Sequence, residues 1–113
     1  MHELSVAMSL IEAVEEEAER HEGRVHTIHL KLGPLFGVVK EALVSAFEMA
    51  REGTPIAEAR LVVEETPVVI YCSRCQARQP IASVEWFCCP VCKTPSSEVV
   101  SGKELELVAL EIE

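Results

Sequence analysis

Two short motifs, "CSRC" at 72–75 and "CPVC" at 89–92, constrain this 113-residue chain more than any other feature in it. Each is a C-x2-C pair, and residues 76–88 separate them. Two such pairs present four thiolates at the corners of a tetrahedron, and the spacing is close to the usual four-cysteine Zn(II) pattern. The flanks "VVIYC" and "VEWFCC" predict short strands leading into each pair, as in a zinc ribbon. Cys72, Cys75, Cys89 and Cys92 are therefore the expected zinc ligands. Iron in a rubredoxin-like site is the alternative metal, and two redox dithiols or a disulfide pair are the metal-free ones. Structural disulfides are disfavoured in a reducing compartment, where this chain is expected to reside. Cys88 is spare. One residue ahead of the second pair, its side chain should point away from the metal. It reads as a half-buried small hydrophobe beside Phe87, with an alternative zinc ligand as the sharper possibility. Trp86 and Phe87 read as the core of a small module.

The rest of the chain supplies what the module lacks. Residues 4–22 form an amphipathic helical pattern, with Leu4, Ala7, Met8, Ile11, Val14 and Ala18 on one stripe and Gly23 as the stop. "RVHTIHLKL" (24–32) predicts a strand with Ile28, Leu30 and Leu32 on one face. "GPLFG" breaks it. A second helix is expected from Val38 to Glu52, with Val39, Ala42, Leu43, Ala46, Phe47 and Ala50 inward and Gly53 as its cap. A strand follows at 58–65, with Ala59, Leu61 and Val63 inward, and another closes the chain in "KELELVALEIE". In that last segment Leu105 and Leu107 share one parity while Leu110 and Ile112 share the other. This predicts either a β-bulge at Val108–Ala109 or a strand buried on both sides. The fold class is α+β: two helices packed on a small three-stranded sheet, with an inserted four-cysteine zinc-ribbon module. Residues 1–66 and 103–113 would form an α/β domain and residues 67–102 the module.

Charge and composition narrow the function. A net charge of −9 repels phosphate backbones, which argues against a nucleic-acid-binding ribbon. All 19 acidic residues are glutamates, and Asp and Asn are absent, a pattern of heat-adapted proteins that codon bias would also produce. No apolar run reaches the ~20 residues of a membrane span, and nothing resembles a signal peptide. A soluble, cytoplasmic protein is expected. No phosphate-binding glycine loop or nucleophile–base pattern marks an enzyme. His21 sits near a helix C-terminus, where a cation is favoured. His29 shares a strand face with Thr27 and Lys31 and should face solvent; His26 shares the other with Ile28.

That leaves "MHE" at the start. The His2 amide nitrogen and its ring Nδ1 close a six-membered chelate, and the Met1 amine with the same amide closes a five-membered one. Tetragonal nitrogen donor sets suit Ni(II) or Cu(II). Taken alone, those letters read rather as an ordinary chain start or a tag remnant.

The combination carries more than its parts. "MHELS" at the start, "V..I.LKLGPL" over 25–35, the two C-x2-C pairs with "CPVC" second, and the closing "LEIE" together resemble the HypA/HybF family of nickel metallochaperones for [NiFe]-hydrogenase maturation. The resemblance runs the whole length of the chain. It implies Ni(II) held at the N-terminus through His2, with Glu3 and Met1 alongside, and structural Zn(II) held by Cys72, Cys75, Cys89 and Cys92. It also implies the HypB GTPase as partner and the hydrogenase large subunit as recipient, with urease a further client in some bacteria. Cys88 departs from the family pattern. The loop 76–88 contains no histidine, so the extra nickel ligand of some archaeal relatives is lacking.

Overall fold

The computed structural model describes residues 2–82 and 86–113. In chain order these form α1 (Glu3–His21), β1 (Val25–Leu32), a 3-10 turn (Pro34–Phe36), α2 (Lys40–Ala50), β2 (Arg60–Glu65), β3 (Val68–Cys72), β4 (Ala77–Ile81), β5 (Val99–Ser101) and β6 (Leu105–Ile112). The strands make two sheets, β2-β1-β6 and β4-β3-β5. β1 and β2 run parallel, so α2 is the crossover between them; β6 returns antiparallel on the other side of β1. The molecule is elongated, 52 × 26 × 15 Å.

Both helices lie on one face of the first sheet, and the core fills the space between. Val6, Ala7, Leu10, Ile11 and Val14 of α1 meet Ile28, Leu30 and Leu32 of β1 and Leu43 and Phe47 of α2. The buried stripe of α1 is rotated from the expected one. Val6 and Leu10 are inside, whereas Leu4 and Met8 are 47% and 54% exposed. The helix lies against both the sheet and α2, and this turns its buried face toward the sheet. α2 is shorter than expected. Val39 is its N-cap and is exposed, and Arg51, not Gly53, ends it. Gly53 instead occupies a left-handed position (φ +75°) in the following turn.

β6 carries the bulge its parity shift predicted. His29 aligns with Ala109 but Leu30 with Leu107, which leaves Val108 as the extra residue. Leu105, Leu107, Leu110 and Ile112 consequently all lean on the core. A second irregularity, at His26, lies on β1. It was not expected from the sequence, and it turns His26 out to solvent instead of placing it beside Ile28. Thr27 is buried, and His29 is half-buried rather than free: its Nε2 lies 2.9 Å from Glu111 Oε2. That contact is the first cause holding the Glu111 carboxyl below its ordinary range.

The two crossings between sheets meet in a tight joint. The Gly33 N–H donates to the Glu104 carbonyl and the Leu35 N–H to the Gly102 carbonyl, both at 2.8 Å. Thr66 Oγ1 donates to Glu104 Oε1 at 2.6 Å, and the Gly102 N–H to Oε2 at 2.8 Å. Glycine is required here: a Cβ on Gly33 would stand 2.2 Å from the Gly102 carbonyl, and one on Gly102 would stand 2.7 Å from Val68 Cα.

Candidate metal sites

The four cysteines of the two C-x2-C pairs converge on one point. Their Sγ atoms all lie within 4.8 Å of one another, with Cys72–Cys92 at 3.5 Å and Cys75–Cys89 at 3.9 Å. A tetrahedral ZnS4 centre with Zn–S near 2.3 Å has sulfur–sulfur edges of about 3.8 Å. The quartet brackets that value. The same distances are far from the ~2.05 Å of a disulfide, and all five cysteines are free thiols.

Each knuckle is built by local backbone geometry. β3 delivers Cys72, and the turn after it brings Cys75 back so that its N–H donates to Cys72 Sγ at 3.4 Å. In the second knuckle the Lys93 N–H donates to the Cys89 carbonyl at 2.8 Å and the Cys89 N–H to the Thr94 carbonyl at 2.9 Å. Gln76 and Lys93, each directly after the second cysteine of its pair, both adopt left-handed φ (53° and 64°). Such a conformation costs a non-glycine residue roughly 1–2 kcal/mol, so the knuckles are closed against local preference. Cys72 and Cys89 are buried, while Cys75 and Cys92 are half-buried. The thiols differ in acidity. Hydrogen bonding to Thr94 brings Cys92 down to about 6, whereas the hydrogen bond with Cys92, then burial, push Cys75 up to about 12. A bound divalent cation would deprotonate all four outright.

Cys88 stands outside the quartet, half-buried and bridged to Pro95. The expected strand in "VEWFCC" is not formed by its described residues: Trp86 and Phe87 are in irregular backbone, and residues 83–85 lie outside the described part. Trp86 is 72% exposed, so it is not the module's core. Val68 and Ile70 of β3 take that place, together with Cys72 and Cys89 themselves.

At the opposite end of the chain, His2 is the N-cap of α1. Its backbone is extended (φ −77°, ψ 134°), its carbonyl accepts from the Val6 N–H at 3.2 Å, and its ring makes no capping hydrogen bond. The imidazole is exposed, and Glu3 opens the helix beside it. Met1, the third expected nickel ligand, lies outside the described residues. The first turns of α1 share a groove with Phe36 and Leu105. His2 thus sits at the end of the layer where both crossings lead to the cysteine sheet. His21 is far along the helix, with its Nε2 3.8 Å from Glu17. His26 and His29 lie on the sheet and do not join the cysteine cluster.

Comparison with known proteins bears on both sites. A family model described as hydrogenase/urease nickel incorporation, metallochaperone, hypA, matches residues 1–112. A hydrogenase maturation factor HypA from Chloroflexus aurantiacus is 46% identical, with 98% of each chain aligned. The factor of the same name from a Roseiflexus species is 45% identical over 100% of this chain and 93% of its own. The solution structure of the Ni metallochaperone HypA from Helicobacter pylori superposes with a TM-score of 0.70 at 28% identity, covering 99% of this chain and 97% of that one.

Proposed function

Because the chain belongs to the HypA family of hydrogenase/urease nickel-incorporation metallochaperones, which are maturation factors and not enzymes, we propose that it carries Ni(II) at its N-terminus. His2 supplies the ring nitrogen and its backbone amide, Met1 the chain amine, and Glu3 a further amide or carboxylate. The observation that carries this reading is the His2 ring itself, exposed at the N-cap and free of any capping bond. An ordinary N-cap side chain accepts from the first turn's N–H groups; this one leaves its imidazole available. The helix N-terminus eases amide deprotonation yet disfavours a cation, so the site holds nickel without trapping it. A carrier needs that balance.

Zn(II) is the resident metal of this reading, held by Cys72, Cys75, Cys89 and Cys92. The thiolate set and its edge lengths support it, and its role is structural, since four protein ligands leave no open position for chemistry. The nickel is delivered during maturation of [NiFe]-hydrogenase in the cytoplasm, with the HypB GTPase as partner and the hydrogenase large subunit as recipient. Among the described residues no helix is long and apolar enough to cross a membrane.

Calorimetric titration of untagged protein tests the nickel site. His2→Ala should abolish specific Ni(II) binding while leaving zinc content and fold intact, because residue 2 precedes the helix and is exposed. Unchanged stoichiometry and affinity in that variant would place the nickel elsewhere and end the assignment.

A further inference from the structure

We infer that the free edge of β6 and the α1 wall beside it form a docking groove for an extended, basic segment of a partner protein, added as a fourth strand of the first sheet. This surface is separate from both metal sites, and the inference stands whether or not His2 holds nickel.

Among the described residues no strand pairs with the outer edge of β6. An eight-residue edge with unpaired backbone groups is a template for another strand. Two hollows that share Leu107 lie along that edge, between β6 and α1. One is lined by Ser5 and Ser9 with Leu105 and Leu107; the other is lined by Glu17 and His21 with Leu107 and Leu110. These leucines are only half-buried, although they pack against the core cluster. Alternate side chains of an added strand, those pointing toward the helix, would complete their burial. This is the geometry in which a peptide augments a sheet beside a helix: backbone hydrogen bonds give affinity, and alternate side chains give specificity.

The other face of the sheet selects the charge of the occupant. Across it, Glu64, Lys31 and Glu106 stand in one row, and Arg60, Thr27 and Glu111 in another. Both rows end on β6 in an exposed carboxylate. The next residue outward in each row is favourable when it is Lys or Arg, since opposite charges directly across strands attract and like charges repel. The occupant is therefore an extended segment with apolar residues toward the helix and basic residues alternating on the other face. A second copy of this chain does not meet that requirement. Pairing β6 antiparallel with itself so that leucine meets leucine sets Glu106 directly against Glu111, like charge against like.

The probe is a blocked peptide alternating valine and lysine, as long as β6, titrated into zinc-loaded full-length protein and followed by amide NMR shifts. Shifts confined to β6 and the groove side of α1 are expected. Glu106→Gln should weaken binding about two- to fivefold and Glu106→Lys about tenfold, the range of one cross-strand charge pair lost or reversed. The same peptide N-methylated at alternate residues should not bind, because it cannot complete the ladder. Equal binding of the N-methylated peptide, equal binding to Glu106→Lys, or shifts centred on residues 67–102 would each overturn the inference. So would intermolecular β6–β6 contacts in the protein without peptide. His2→Ala protein should bind the peptide like wild type, so failure here and failure of the nickel site are read separately.

Discussion

The two sheets of this protein are held by different physics. The helix-covered sheet buries a contiguous apolar cluster running from Val6 to Val63, with Phe47, Leu43 and Ile28 fully inaccessible. Among the described residues, the second sheet and the knuckles beside it bury only Val68, Ile70, Cys72 and Cys89 as apolar residues, and leave Trp86, Val91 and Val100 exposed. Small sheets of this kind are marginal in water without a further constraint. On the proposed reading the four thiols supply that constraint, since structural zinc contributes roughly 10–16 kcal/mol of apparent folding free energy in comparable sites. One chain would then use solvent exclusion for the layer that carries His2 and metal coordination for the other.

The sharpest way to break this comparison is to remove the metal. Chelation, or Cys89→Ser, should abolish amide protection in β3, β4 and β5 while the helical circular-dichroism signal persists, because the helices keep their own core. Retention of the second sheet's amide protection in chelator would show that its few apolar residues suffice. The converse experiment truncates the layer. Phe47→Ala should cost about 3–5 kcal/mol and lower the denaturant midpoint of the helices. Zinc stoichiometry should stay unchanged, and a loss of zinc would mean that the two regions fold as one unit.

The smallest expected effect lies at the joint. The Thr66 hydroxyl, followed by the Gly102 N–H, holds the Glu104 carboxyl below its ordinary range. A depressed folded-state value means that the contribution is present above the ordinary carboxylate range and is lost as pH falls through the depressed value. Urea midpoints of wild type and Glu104→Gln should differ slightly at neutral pH and converge in acid. A difference that grows as pH falls would reverse the sign and exclude this role for Glu104.

Much of this was legible in the sequence because it depends on covalent spacing. A C-x2-C pair places two thiols in reach of one ion whatever surrounds it. The change of parity between Leu107 and Leu110 demands either a bulge or burial on both faces, because strand side chains alternate with a period of two, and the structure takes the bulge. The order Met1, His2, Glu3, on which the proposed nickel site rests, is likewise fixed by covalent structure. Other features depend on what lies opposite, and no local pattern encodes that. Leu4 and Met8 fit a helical stripe, yet the neighbouring sheet selects Val6 and Leu10 instead. Trp86 has the composition of a core residue, but the second sheet offers it no partner surface. The bulge at His26 and the pairing of His29 with Glu111 arise from the register between strands separated by most of the chain. Periodicity told which residues are apolar or chelating; only the packing of distant elements decided which of them meet, because burial is a property of two surfaces rather than one.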